Sequence, residues 1–239
     1  MPWTDILKAW KLSTAFAKLW LKIRERSDIM LKICQGTEVR KMKKISLFLL
    51  AVCGIALLMA GCSSKETEED VSTLELKKNG EIVHTIVEDF GESYYDLDEL
   101  KSSTEEMIAD YNSSAGADRV KLNSAQTQDG VVRLVMTFKS SEDYSGFYRQ
   151  ALFSGTVKEA FGAGYDLDVT LNSVKEEGTT ISKQDILDMG DKHVAIVREN
   201  INIRPYGDIL YMSSDVTLGA DGKTAVVTNG ESLSYIIFK

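Results

Sequence analysis

The chain has 239 residues and a formal net charge of −8, but the charge is unevenly placed. Residues 1–61 hold eleven Lys and Arg against four Asp and Glu, so the 178 residues from Cys62 onward hold 17 basic against 32 acidic residues, a net −15. That balance argues against nucleic acid and anionic membrane as partners of the acidic part, which would repel both. No cysteine follows Cys62, so the residues beyond it have no disulfide framework and no thiol nucleophile.

Residues 1–41 contain all three tryptophans. Trp3, Ile6, Leu7 and Trp10, then Phe16, Leu19, Trp20 and Ile23, fall at helical spacing beside Lys8, Lys11, Lys18, Lys22 and Arg24. Read as protein, the segment is a basic amphipathic helix suited to an anionic membrane surface. Read as an upstream extension, it is not translated and synthesis begins at Met42. Glu38-Val39 can be encoded as a purine-rich run at ribosome-binding distance before that methionine. The second reading is the expectation.

Residues 42–61 have the parts of an export signal peptide: Lys43 and Lys44, the apolar run Ile45–Met59, and the small pair Ala60-Gly61. Cys62 directly after that pair makes the stretch resemble the lipobox of bacterial lipoprotein precursors, with Met59 where Leu is usual. The resemblance implies that diacylglycerol is joined to Cys62 and that the chain is cut between Gly61 and Cys62. It also implies a lipid anchor of the palmitate kind in the cell membrane, with the remainder facing outside the cytoplasm. An uncleaved span is the alternative, because no charge interrupts the chain between Lys44 and Lys65 and a spanning helix needs roughly 20 apolar residues. Residues 62–71 then read as a lipidated, acidic, disordered tether.

Residues 72–239 read as one extracytoplasmic domain. Leu74 and Leu76 alternate with charged residues before Asn79-Gly80, and residues 81–87 follow as the second arm of a hairpin. Asp96-Leu97-Asp98-Glu99 caps a helix whose face is Leu97, Leu100, Met107, Ile108 and Tyr111, ending between Asn112 and Gly116. Asp129-Gly130 joins a second hairpin, residues 120–128 and 131–139, with Val132, Leu134, Met136 and Phe138 on its apolar face. A helix opens at Ser141-Glu142-Asp143, with Tyr144, Phe147, Tyr148, Ala151 and Leu152 in step. The order hairpin then helix thus occurs twice, and Tyr-Asp-Leu-Asp stands at both Tyr95–Asp98 and Tyr165–Asp168, at non-matching points. Residues 161–178 are ambiguous apart from a strand at 168–174. Ser182 to Asp185 caps a short helix to Met189, and strands are expected at 193–203, 208–218, 223–228 and 233–238. The expected fold class is α+β: mainly antiparallel β-hairpins with two or three helices packed on the sheet.

Chemistry is sparse in this part. His84 and His193 are too few and too far apart for a metal cluster, and no H-x-x-x-H, G-x-S-x-G or S-x-x-K run occurs. His84 reads as a core or edge histidine, and His193 as a solvated residue at a strand start. Asp96-Leu97-Asp98 and Asp166-Leu167-Asp168 lack the glycine of a calcium loop; the first reads as a helix cap, the second as an edge strand. No catalytic residue, metal ligand or cofactor is assigned. The candidate binding surface is the tyrosine group Tyr94, Tyr95, Tyr111, Tyr144, Tyr148 and Tyr165, whose rings could bury area while their hydroxyls pair with a sugar or peptide. Core packing of helices onto the sheet is the competing role.

From Cys62 to Lys239 the chain resembles small uncharacterised surface lipoproteins of clostridia-like Gram-positive bacteria, through the lipobox and the acidic tether behind it. The resemblance implies cell-surface location and anchoring, and no activity. The expected function is a lipid-anchored binding or envelope-interaction module. Its partners would be the membrane, through the lipid on Cys62, and an extracytoplasmic ligand or envelope protein, not nucleic acid. A carboxylate-dependent enzyme acting on cell-wall or extracellular substrates, or an accessory solute-binding lipoprotein, are the alternatives.

Overall fold

Both N-terminal hairpins turn on glycine. The computed structural model describes residues 71–93 and 95–239, so the expected upstream extension, signal peptide and cleavage site at Gly61-Cys62, and Tyr94, lie outside the described residues. Strands β1 (Thr73–Leu76) and β2 (Ile82–Asp89) are joined by a loop closed by Lys77 N–H to Glu81 O at 2.9 Å and Gly80 N–H to Lys77 O at 3.0 Å. Gly80 takes φ +86° while Asn79 stays at negative φ, so this is a longer turn than a two-residue connection. Between β3 (Val120–Gln128) and β4 (Val131–Phe138), Asp129 and Gly130 both take positive φ, as a two-residue type I′ turn requires.

Helix α1 (Leu97–Ala115) starts where Asp96 accepts the Glu99 N–H at 3.0 Å and ends at the left-handed Gly116. Leu100 from this helix clusters with Val132 and Leu134 of β4. Helix α2 (Ser141–Tyr148) is capped by Ser140 and ends at Arg149, whose φ of +57° breaks the helical path. Ala151 and Leu152 therefore do not continue the helix, contrary to the periodicity. Leu152 opens β5 (Leu152–Thr156) instead.

Helix α3 (Val157–Gly162), almost all of it before the ambiguous stretch at 161–178 and not expected from the sequence, forms on a capping box between Thr156 and Glu159. Strand β6 (Leu171–Ser173) is shorter than expected, and β7 (Thr180–Ile181) precedes α4 (Lys183–Asp188). Ser182 N–H donates to the Asp185 carboxylate at 2.9 Å at the start of α4. Residues 166–168 form a turn, not an edge strand: Asp168 N–H bonds Asp166 Oδ1, Leu167 is buried, and the Tyr235 hydroxyl donates to Asp166 O at 2.7 Å.

The expected strand at 193–203 is two strands, β8 (His193–Val197) and β9 (Asn202–Arg204), and they belong to different sheets. The same happens at 208–218, where β10 (Ile209–Met212) and β11 (Val216–Leu218) separate. With β12 (Ala225–Val227) and β13 (Ser234–Phe238) the described residues form a seven-stranded sheet, β11-β12-β9-β1-β2-β4-β3, and a six-stranded sheet, β5-β8-β13-β10-β6-β7. Both are antiparallel except for the parallel pair β1–β9.

One apolar core lies between the sheets, with Leu74, Ile82, Met136 and Phe138 from the first meeting Ala195, Val197, Ile236 and Phe238 from the second. A second cluster covers the opposite face of the six-stranded sheet, where Val157, Ala160 and Ile186 of α3 and α4 pack on Val194, Ile196 and Ile237. Strand β13 is thus buried on both faces, which is why Tyr235–Phe238 is a continuous apolar run. The fold is α+β, with four helices and thirteen strands among the described residues; the helices lie on two sheets, where the sequence pointed to one.

Candidate functional site

Four of the six tyrosines singled out in the sequence turn inward. Tyr144 is 1% exposed and its hydroxyl donates to Glu199 Oε2 at 2.8 Å. Tyr148 lies 5.0 Å from Tyr144 between ring centroids, and its hydroxyl sits 3.3 Å from both His84 Nδ1 and Met136 Sδ. Tyr111 packs edge-on against Phe147 and its hydroxyl faces Asp143 Oδ1 at 3.4 Å. Tyr165 lies apart, tilted on Phe153. Tyr95 is stacked on Phe90 at 4.8 Å. The structure brings Tyr111, Tyr144 and Tyr148 into one cluster around Phe138 and Phe147, and leaves Tyr95 and Tyr165 elsewhere. Tyr144 is enclosed too fully to offer a ligand any surface.

The same cluster holds two titratable groups that the fold perturbs. His84 is 6% exposed, and burial pulls its imidazole down to about 3, so it is neutral. Burial pushes the Glu199 carboxyl up, and the Tyr144 hydroxyl bond partly offsets this. Tyr144 and Tyr148 are raised by burial and then by the Glu199 charge, so both stay protonated. Perturbed groups mark active sites when they line a cleft. Here His84 is buried against the rings of Tyr144 and Tyr148, Glu199 is half-buried with its carboxylate on the Tyr144 hydroxyl, and no buried side-chain polar atom among the described residues lacks a partner. The arrangement is a satisfied polar network inside an aromatic core. His193 opens β8 as expected and is half-buried, its ring stacked on Phe238 and meeting Tyr206 edge-on.

A groove of about 720 Å³ opens between α1 and β3, lined by Glu105, Ile108, Asn112, Asp118, Lys121 and Leu122 among others. Helical spacing puts Glu105, Ile108 and Asn112 on one stripe of α1. Strand β3 forms the facing wall because it ends the seven-stranded sheet. Asn112 ties the two walls: its Oδ1 accepts from the N–H groups of Arg119 and Val120, and its Nδ2 donates to Val120 O, all at 2.9 Å. The carboxamide thus meets both outward backbone groups of Val120, as a neighbouring strand would. Sequence reasoning read Asn112 only as a helix stop. The Asn112 to Gly116 stretch did flag the corner, but nothing local revealed the partner eight residues on.

Asn112→Ala should leave three backbone groups without their side-chain partner and cost about 1–3 kcal/mol of stability. Urea unfolding would measure the loss, and amide exchange at Arg119 and Val120 should accelerate. A change within the range of ordinary surface substitutions, about 0.5 kcal/mol, would show the clamp to be dispensable.

Among the described residues no three His, Cys, Asp or Glu side chains form a metal-holding group, and no helix is long and apolar enough to cross a membrane. Asp96 and Asp98 lie at the start of α1, where Asp96 serves as the cap. No protein-family model, curated protein or solved structure matches the chain.

Proposed function

We propose that this chain is a lipid-anchored extracytoplasmic binding or envelope-interaction module, held to the membrane through Cys62 and engaging its partner through the α1–β3 groove. The observation that carries the reading is the run Lys43-Lys44, Ile45–Met59, Ala60-Gly61-Cys62, followed within eleven residues by the first strand at Thr73. A tether that short keeps the domain within a few nanometres of the lipid, since an extended residue spans at most about 3.6 Å. The groove favours binding over catalysis. Its walls carry backbone groups, apolar side chains and three charges, while the perturbed groups His84 and Glu199 do not line it.

Cys62→Ser should move the protein from the membrane fraction to the soluble fraction, or leave it as an unprocessed precursor without the added lipid mass. Fractionation and intact-mass measurement of both forms decide the matter. Unchanged mass shift and membrane retention in Cys62→Ser would overturn the anchoring.

A further inference from the structure

An edge strand exposes a row of backbone donors and acceptors that another chain can pair with, and proteins usually cover or shorten such edges. This fold does so at its other sheet edges. Strand β11 has three residues and β7 has two. Strand β5 is longer, and helix α2 covers its outer side. The Ser145 hydroxyl accepts from Leu152 N–H at 3.0 Å and donates to Leu152 O at 2.9 Å, and Ser141 Oγ accepts from Ser154 N–H at 3.3 Å.

Strand β3 is treated differently. It has nine residues, and Asn112 satisfies only its first outward position, Val120. Lys139 N–H bonds Arg119 O, which fixes the alternation: Arg119 faces β4 and Val120 faces out. A bulge between Leu122 and Ser124 adds Asn123, and beyond it the tight turn at Asp129-Gly130 sets Gln128 toward β4. Leu122, Ala125 and Thr127 are then the remaining outward positions, and no described residue pairs with their backbone groups.

Resting on the binding reading above, we infer that the outer edge of β3, with the α1 stripe beside it, takes an extended segment of another polypeptide as an added strand. Main-chain hydrogen bonds from Leu122, Ala125 and Thr127 would give affinity, and alternate side chains of the guest would enter the groove over Ile108 and Leu122. Charge selects the guest. Glu105 and Asp118 stand at the groove against Lys121, and α1 carries Asp98, Glu99, Glu105, Glu106 and Asp110 against Lys101. A segment alternating Lys or Arg with apolar residues is complementary to that wall. A second copy of this chain is not, because two surfaces of this sign repel.

The test uses the full chain purified in detergent from membranes and three dye-labelled synthetic octapeptides. One alternates Lys with Val, one alternates Glu with Val, and one is the Lys-Val peptide with a central Pro. Fluorescence anisotropy should rise saturably with the first and at least tenfold more weakly with the other two. Thr127→Pro removes one outward N–H at an exposed edge position, and Glu105→Lys with Asp118→Lys reverses the wall. Each variant should weaken the Lys-Val peptide tenfold or more while melting like wild type. Hydrogen exchange should slow at Leu122, Ala125 and Thr127 when that peptide is bound. Absence of saturable binding, equal binding by all variants, or protection elsewhere would overturn the inference, as would sedimentation showing a β3-to-β3 dimer. Membrane retention through Cys62 is read separately, so its failure and the failure of strand addition are distinguishable.

Discussion

Phe138→Ala is expected to destabilise the fold by about 3–5 kcal/mol, the usual cost of emptying a buried aromatic site. Phe138 is fully buried at the last position of β4, paired across the sheet with Ile82 on one side and Val120 on the other. Its ring lies 5.2 Å from Tyr144, 5.6 Å from Phe147 and 5.6 Å from Tyr148. It therefore joins the seven-stranded sheet, helix α2 and the core shared with the second sheet. Two of these neighbours are rings held by their own hydrogen bonds, Tyr144 to Glu199 and Tyr148 beside His84, so the site cannot collapse freely onto the vacancy. Such a loss is a large share of a total stability of about 5–15 kcal/mol. Urea unfolding of wild type and variant measures it, with Val131→Ala as the exposed control. A loss below about 1 kcal/mol would mean that the two sheets do not depend on this contact.

Acid should unfold the wild type more readily than His84→Gln. His84 is neutral in the fold because burial holds its pKa at about 3, against an ordinary value of 6.5. Below 6.5 the unfolded chain takes up a proton that the folded one refuses. The contribution is therefore intact above that value and is lost progressively as the pH falls toward 3. At 1.36 kcal/mol per unit, the loss reaches about 2 kcal/mol at pH 5. Glu199 acts in the opposite sense: its raised pKa lets the folded chain bind a proton first, which adds stability as the pH falls. The difference between wild type and His84→Gln isolates the imidazole, because the carboxyl is common to both. Tyr144 and Tyr148 remain protonated throughout. Denaturant midpoints at pH 7 and pH 5 give the two slopes, and parallel slopes would show that His84 is not the acid-sensitive group.

The candidate partner surface and the proposed anchoring signal differ in how they are written. The run ending at Gly61-Cys62 is contiguous, so the proposal rests on charge, length and small residues read along one stretch. The groove is not contiguous. Its walls are a stripe of α1 and the outer side of β3, and only the end of the seven-stranded sheet makes that side available. The tyrosines show the same difference. Their number and spacing are plain in the sequence, but whether a ring faces solvent depends on what packs above it, and the partners that the Tyr144 and Tyr148 hydroxyls meet, Glu199 and His84, are distant in sequence.

By itself the sequence determined the local geometry of the fold. Gly80 and the pair Asp129-Gly130 placed two turns because few other residues tolerate positive φ, and Asp96 and Gly116 bounded α1 through backbone bonds spanning a few residues. Alternation in Val132, Leu134, Met136 and Phe138 marked one buried face of β4. Tertiary structure decided the rest. Residues 193–203 and 208–218 each look like one strand, because both sheets demand the same apolar, β-branched residues. Which sheet receives β8, β9, β10 or β11 depends on pairing with strands distant in sequence, β8 with β5 and β13, and β9 with β1 and β12. The side chains that cover β5 and clamp the start of β3, Ser141, Ser145 and Asn112, are chosen in the same way. A hydroxyl or carboxamide becomes a substitute strand only when the folded chain brings an unpaired backbone group within 3.3 Å of it.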